Sequence, residues 1–151
     1  MDKKSLTKFT GIVAAFIVLT IGYVYFNEQS LLTSGRNNTD LVVESIENKD
    51  SYAVKKRLYE FVGGIDPSTN EEYNQALVSI DFVSSLIKNG ESLSFVGGAL
   101  SDSGEYRLYA AAYEIAVPQG GEDYLVVTMR RQEGSWVLSN IQLLATNPFT
   151  D

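Results

Sequence analysis

A stretch of nineteen residues without a charge, "FTGIVAAFIVLTIGYVYFN" over residues 9–27, constrains this chain more than any other feature. As an α-helix it would extend about 28 Å, close to the thickness of the hydrocarbon core of a bilayer. It lacks the polar stripe that a helix packed on a soluble core carries on its outer side. Tyr23, Tyr25 and Phe26 lie at its far end, where aromatic rings meet lipid headgroups. The sequence therefore predicts a transmembrane helix over residues 9–27.

The charges on either side of this segment predict its orientation. Residues 1–8 contain three lysines and one aspartate, whereas residues 28–40 contain one arginine, one glutamate and one aspartate. The excess of positive charge favours a cytoplasmic tail over residues 1–8 and an extracytoplasmic remainder. The segment after the apolar run, "YVYFNEQSLL", is bulky where a signal peptidase requires small residues. We therefore expect an uncleaved signal anchor in the cell membrane, with cleavage as the alternative.

Absent residue types and net charge exclude several classes of function. The chain contains no cysteine, which excludes disulfides, thiol catalysis, cysteine zinc sites and acylation of a lipobox thiol. The whole chain carries −7 and residues 1–8 carry +2, so the rest carries −9. This balance argues against nucleic acid, which proteins bind through basic patches. We expect neither a cofactor nor a metal ion.

The part beyond the apolar segment divides into a stalk, one domain and a tail. Residues 28–38 are polar and predict a stalk, residues 39–147 a single extracytoplasmic domain, and residues 148–151 a tail. Three helices are expected first: one capped by Thr39, one capped by Asp50, and one starting near Asp66 or Ser68. The apolar face of the third helix is predicted to contain Tyr73, Leu77, Ile80, Val83 or Ser84, and Ile87.

After Gly90 the apolar period changes from 3.6 to 2, which indicates strands. Four segments separated by turn residues predict an antiparallel meander. In the second of them Tyr109, Tyr113, Ile115 and Val117 share one face, and Glu114 lies on the other face among alanines. The predicted fold class is α+β: an N-terminal transmembrane helix followed by three helices packed on a curved four-stranded antiparallel sheet.

Two segments resemble a known superfamily. The closing "GSWVLSNIQLL" over residues 134–144 and the helical "ESIENKDSYAVKKRLYEF" over residues 44–61 are similar to small, membrane-anchored, extracytoplasmic bacterial members of the nuclear transport factor 2-like superfamily. The resemblance covers roughly residues 39–146 and implies a cone-shaped fold, which ketosteroid isomerases share. In enzymes of this superfamily the cone encloses a general base and a phenol. This chain has no histidine, so the histidine pairs of the dehydratases are excluded.

Five residues are candidates for lining a pocket inside such a cone: Asp81, Tyr109, Tyr113, Glu114 and Trp136. Asp81 adjoins the apolar face of the third helix, where it is either a desolvated base or a solvated charge at the edge of that face. Glu114 lies either in a pocket or in water, and Trp136 either in the core or under a ligand. None of the five matches a catalytic motif.

The sequence accordingly predicts a non-enzymatic, membrane-anchored domain that binds a protein or a small molecule outside a bacterial cell. An alternative is an oligomerising structural component of an envelope assembly of the type IV secretion or conjugation kind, whose inner-membrane parts share this plan. A third interpretation is a small isomerase-like or dehydratase-like enzyme.

Overall fold

The computed structural model describes residues 3–50, 52–54, 56–57, 71–87, 93–104, 106–117 and 121–150, without the side chains of residues 3–15, 72–73, 117 and 121–122. Its elements are helix α1 (Lys3–Glu47), helix α2 (Glu71–Leu86) and strands β1 (Ser94–Ser103), β2 (Tyr106–Val117), β3 (Gly121–Gln132) and β4 (Ser135–Leu144). Residues 52–54 and 56–57 are also helical. The chain forms two compact units, Met1–Thr33 and Ser34–Asp151.

Helix α1 is longer than the sequence predicts. The helix expected to begin at Thr39 is the continuation of a 45-residue helix, so the prediction of a separate helix and a Thr39 cap was wrong. Residues 28–38, expected to form a stalk, are helical as well. Thr39 is fully buried, and its hydroxyl donates to the carbonyl oxygen of Arg36 at 2.8 Å. The stretch contains no proline, so the helix continues where the polar composition suggested an interruption.

The end of α1 is a Schellman motif. The Asp50 amide donates to the carbonyl of Ser45 at 2.8 Å, and the Lys49 amide donates to that of Ile46 at 3.0 Å. Lys49 takes the left-handed conformation that this motif requires, with φ of 57°. The carboxylate of Asp50 then accepts the amide of Ala53 at 3.0 Å, which confirms Asp50 as a helix cap. Most of the expected second helix, from residue 58 onward, lies outside the described residues.

The four strands form one antiparallel sheet in the order β1-β2-β3-β4, so the predicted α+β class and meander are confirmed. The tight turn predicted between β3 and β4 has positive φ at Glu133 and Gly134, 50° and 84°, as a type I′ hairpin needs. Two irregularities interrupt the pairing, one at Val96 in β1 and one at Ser139 in β4.

We call the sheet face that carries Tyr109 and Tyr113 the inner face and the opposite one the outer face. Residues 34–47 of α1 contact the inner face, through pairs such as Tyr113 with Thr39 and Trp136 with Ser34. The predicted alternation in β2 is confirmed for Tyr109, Tyr113 and Ile115, which are all buried.

Helix α2 packs against β4 and β2. Among its described side chains Ala76, Ile80 and Val83 are buried, as is Ile87 just beyond it, so Val83 rather than Ser84 occupies the core. Leu77, also predicted on this face, is only half-buried, and the side chain of Tyr73 lies outside the described residues.

The outer face is partly covered by the segment after β4. Phe149 packs against Gly97, where an added Cβ would lie 3.1 Å from the Phe149 side chain. Asn147 holds this segment in a turn, because its side-chain oxygen accepts the amide of Phe149 at 2.9 Å. Phe149 belongs to residues 148–151, which were expected to form a tail, and it packs on the sheet.

No helix in the part of the chain with described side chains, which begins at Phe16, is long and apolar enough to be assigned as a membrane span.

Candidate functional site

Tyr113 is the centre of a buried polar contact between β2 and α1. Its hydroxyl donates to the carboxylate of Asp40 at 2.6 Å and lies 2.8 Å from the hydroxyl oxygen of Thr39. Burial raises the pKa of Tyr113 far above its ordinary value, and the bond to Asp40 raises that pKa further. The phenol is therefore protonated throughout the physiological range, and its proton is engaged by a carboxylate of the same chain.

Tyr109, four residues before Tyr113 on the same strand, lies between two glycines. A Cβ at Gly35 of α1 would lie 2.6 Å from Cγ of Tyr109, and a Cβ at Gly98 of β1 would overlap the Tyr109 hydroxyl. The absence of a side chain at Gly35 lets α1 approach the tyrosine ring, and its absence at Gly98 leaves space for the Tyr109 hydroxyl beside β1. Burial raises the pKa of Tyr109 as well, although the nearby guanidinium of Arg36 opposes the shift.

Trp136, the second residue of β4, lies next to Tyr109. Its ring lies edge-on to Tyr109 with a centroid distance of 6.3 Å, and its indole nitrogen donates to the Ser34 hydroxyl at 2.8 Å. The guanidinium of Arg131 lies 5.6 Å from the centre of the indole ring. Trp136 is half-buried and also borders a small cleft of about 340 Å³ beside the β3-β4 hairpin.

Arg36 and Phe95 complete the contact at the β1 side. The guanidinium of Arg36 lies 3.8 Å from the centre of the Phe95 ring, and its Nε lies 3.6 Å from Oδ2 of Asp40. Phe95 in turn packs edge-on against Tyr113 at 5.7 Å. Tyr109, Tyr113 and Trp136 are therefore brought together, as the sequence predicts, but α1 covers them and their polar atoms bond to it. This arrangement fixes a helix on a sheet.

The two candidate carboxylates lie elsewhere. Asp81 is exposed on α2. Glu114 is half-buried on the outer face, opposite Tyr124 in the register of β2 and β3. Neither carboxylate shares a face with the three aromatic residues, so the five candidates do not converge on one cavity.

A surface groove between α2 and β4 is the concave site that sequence reasoning missed. It measures about 660 Å³ and is bordered by Glu71, Asn74, Gln75, Val78 and Ser79 of α2 and by Asn140, Ile141, Gln142 and Leu143 of β4. Val78 is 70% exposed on its wall. The sequence signal was the position of Val78, an apolar residue outside the buried period of α2. A groove with amide and apolar walls suits an extended protein segment better than it suits catalysis, which needs converging polar groups.

Residues 16–26 of α1 present a third feature. Nine large apolar or aromatic side chains are exposed here by between 51% and 78% of their surface: Phe16, Ile17, Val18, Leu19, Ile21, Tyr23, Val24, Tyr25 and Phe26. Successive residues of an α-helix point about 100° apart, so eleven residues cover every side of it. Within the unit Met1–Thr33 this helix therefore shows apolar groups in all directions.

Comparison of the chain with models of known protein families, with curated proteins and with solved structures gave no significant match.

Proposed function

We propose that this chain is a single-span membrane protein that holds a non-enzymatic interaction domain on the extracytoplasmic side of a bacterial membrane. The observation that carries the proposal is the helical segment of residues 16–26 with apolar side chains exposed on every side. In water such a surface is unfavourable by about 25 cal/mol for each Å² of apolar area. In a bilayer the same side chains are solvated by lipid tails, and the uncharged sequence extends back to Phe9.

Two observations favour binding over catalysis. The phenols of Tyr109 and Tyr113 lie beneath α1, and the Tyr113 proton is engaged by Asp40. The α2-β4 groove, in contrast, is open and has an exposed apolar wall at Val78. We assign this groove to an extended segment of a partner protein, which would lie beside edge strand β4.

The nuclear transport factor 2-like cone remains our proposal for the fold family, supported by the order of helices and strands.

A second candidate is the structural component of an envelope assembly. It is favoured by the filled interior between α1 and the sheet, where Leu125, Met129, Leu138 and Ile141 are at most 1% exposed. Because this interior is filled, another protein chain would bind at the outer surfaces or sheet edges, which are the surfaces through which subunits of an assembly pair.

The anchor and its orientation can be tested with single cysteines, because the natural chain has none. Tyr52→Cys places a thiol at a position that is 77% exposed, and Ser5→Cys places one in the expected cytoplasmic tail. We expect the full chain to sediment with membranes. Tyr52→Cys should react with a membrane-impermeant maleimide in intact cells stripped of any outer membrane, whereas Ser5→Cys should react only after lysis.

Recovery of the chain in the soluble fraction would contradict the anchor. Labelling of Ser5→Cys rather than Tyr52→Cys in intact cells would contradict the orientation.

A further inference from the structure

The direction of α1 along the sheet distinguishes the two ends of the sheet. We call the end where β1 leads into β2 and β3 leads into β4 the Trp136 end, and the end where β2 leads into β3 the Glu114 end. Ser34 of α1 contacts Trp136. Further along the helix, the Glu47 carboxylate accepts the amide of Leu93, just before β1 begins at the Glu114 end. Helix α1 therefore meets the sheet first at the Trp136 end and runs toward the Glu114 end.

The Trp136 end is also close, along the chain, to the predicted membrane span. Asn27 is the last residue of that span, and Ser34 follows it by seven positions. Seven residues advance at most about 25 Å in any conformation and about 10 Å as an α-helix. The headgroup layer adds about 5–8 Å to each side of the hydrocarbon core. In an anchored chain the Trp136 end is thus within reach of the lipid headgroups.

The two ends of the sheet differ in charge. The basic residues of the four strands all lie at the Trp136 end: Arg107, Arg130 and Arg131. In the register of β2 and β3, the acidic positions Glu114, Glu122 and Asp123 fall at the opposite end. A negatively charged surface therefore attracts the Trp136 end in preference to the Glu114 end.

Acidic residues accompany the arginines at the Trp136 end and limit this attraction. Oδ1 of Asp102 lies 3.3 Å from Nε of Arg107. Glu133 is exposed in the turn between β3 and β4, and Glu105, between β1 and β2 in the sequence, lies outside the described residues. Arg57, which borders the cleft beside the β3-β4 turn, makes four arginines against three acids, an excess of one positive charge. So small an excess needs the anchor, which raises the effective concentration of the domain at the membrane.

Two of the arginines are stacked on aromatic rings. The guanidinium of Arg130 lies 4.3 Å from the centre of the Tyr106 ring, and that of Arg131 lies 5.6 Å from the centre of the indole of Trp136. Tyr106 is 39% exposed and Trp136 is half-buried. A stacked guanidinium keeps donors at its edge for a phosphate, and tyrosine and tryptophan are enriched at the level of lipid headgroups. The Trp136 end thus combines the residue types that a membrane interface favours.

We propose that the Trp136 end of the sheet binds the phosphate groups of anionic phospholipids in the membrane that holds the anchor, through Arg130 and Arg131. The inference rests on the proposed membrane anchor. The contact orients the domain on the membrane, with the acidic Glu114 end directed away from the lipid.

Tryptophan fluorescence tests the contact, because Trp136 is the only tryptophan of the chain. The full chain would be reconstituted in vesicles of phosphatidylcholine and phosphatidylglycerol that contain a lipid with a spin-labelled headgroup. The matched control is the Trp136→Phe, Leu144→Trp chain, which moves the fluorophore to a half-buried position at the other end of β4. Eight residues of a strand, about 26 Å, separate the two positions.

We expect the spin label to quench Trp136 at least about threefold more strongly than the tryptophan of the control, because quenching by a nitroxide declines steeply over such a separation. Equal quenching, or stronger quenching of the control, would overturn the proposal. Flotation of the vesicles separates it from the anchor. A chain that floats without preferential quenching refutes the lipid contact alone, whereas a chain that does not float refutes the anchor.

The charge of the lipid is tested with the natural chain, which needs no substitution. Quenching of Trp136 should fall by about half in vesicles of phosphatidylcholine alone, and also at high salt, where the attraction is screened. Quenching that is the same in neutral and anionic vesicles would overturn the assignment to anionic phospholipid.

Arg130 has its own pair of variants, and its guanidinium is stacked on Tyr106 rather than on the fluorophore. Arg130→Gln should lower the ratio of lipid-bound to detached domain by about fivefold, whereas Arg130→Lys keeps the charge and should retain most of the binding. Equal ratios for the two variants would overturn the contribution of this charge. Far-ultraviolet circular dichroism of all the chains checks that the substitutions leave the fold intact.

Discussion

At the scale of single residues, two tyrosines of one strand explain how α1 is fixed to the sheet. Tyr109 needs the space that Gly35 and Gly98 leave, and Tyr113 needs the oxygen atoms of Thr39 and Asp40. Sequence reasoning selected both tyrosines from their common register. It missed Gly35 and interpreted Thr39 as a helix cap, because the period of an apolar face does not reveal a glycine at a contact or a buried hydroxyl.

Gly35→Ala should destabilise the folded protein by about 1–3 kcal/mol, since the new Cβ would lie 2.6 Å from Cγ of Tyr109 and force the helix or the ring to move. Thermal unfolding of the full chain in detergent, followed by circular dichroism, measures the effect. The control is Gly22→Ala in the same helix, where an added Cβ has no heavy atom within 4 Å. A loss of stability no greater than that of the control would show that Gly35 does not govern the approach of α1.

Tyr113→Phe should weaken the dependence of stability on alkaline pH. The pKa of Tyr113 is raised in the folded protein, so folding keeps a proton that the unfolded chain releases above its ordinary pKa of about 10. Stability is therefore fully present below about pH 10 and falls as the pH rises further, by up to about 1.4 kcal/mol per pH unit for this group. Chemical unfolding between pH 9 and about pH 11.5 should show a shallower decline for Tyr113→Phe. Parallel curves for the two proteins would contradict burial of the phenol.

At the scale of elements, the buried and exposed sides of α2 separate its structural role from its proposed role in binding. Ala76, Ile80 and Val83 are buried at helical spacing, whereas Val78 is 70% exposed and Phe82 is 44% exposed. The sequence predicted Ile80 and Ile87 correctly from the helical period, left Val83 and Ser84 as alternatives, and also included Leu77, which is only half-buried. The exposed position of Val78 was the one sequence signal for the groove, and it did not suffice because a groove depends on the distance between α2 and β4.

Val78→Asp should change the free energy of unfolding by less than about 0.5 kcal/mol, because the side chain is largely in water. Val83→Asp, the same substitution at a fully buried position of the same helix, should prevent stable folding because it buries a charge without a partner. Equilibrium unfolding of the two variants distinguishes them. A large loss of stability for Val78→Asp would mean that Val78 is part of the core, and the groove would lose its exposed apolar wall.

At the scale of the whole molecule, one 45-residue helix contains both the apolar segment and the part that packs on the sheet. From the sequence we predicted three separate segments here, an anchor, a stalk and a further helix, because polar residues and a glycine interrupt the apolar pattern. The contacts of Ser34, Gly35 and Arg36 with the inner face favour helix in that stretch. Local composition could not include those contacts, since their partners lie at least 59 residues further along the chain.

Replacing Val18 and Leu19 together by arginine should release the full chain from membranes. Each arginine at the centre of a transmembrane helix is unfavourable by about 2.5–3.5 kcal/mol, so the pair weakens insertion by about 5–7 kcal/mol. Carbonate extraction of membranes measures the released fraction, and Gln29→Arg with Ser30→Arg, just beyond residues 9–27, is the matched control. Retention of the Val18 and Leu19 variant at the level of the control would contradict the anchor.

The sequence by itself determined the α+β class, the four-stranded meander, the cap at Asp50 and the buried alternation of Tyr109, Tyr113 and Ile115. These features follow from periods, turns and caps, which operate between residues close in the chain. Only the tertiary structure decided that α1 runs unbroken through Thr39, that Asp81 lies apart from the aromatic cluster, and that α2 and β4 enclose a groove. Those results depend on how closely elements distant in sequence approach each other; for α1 and the sheet, Gly35, Gly98 and the Tyr113 hydroxyl lie at that contact.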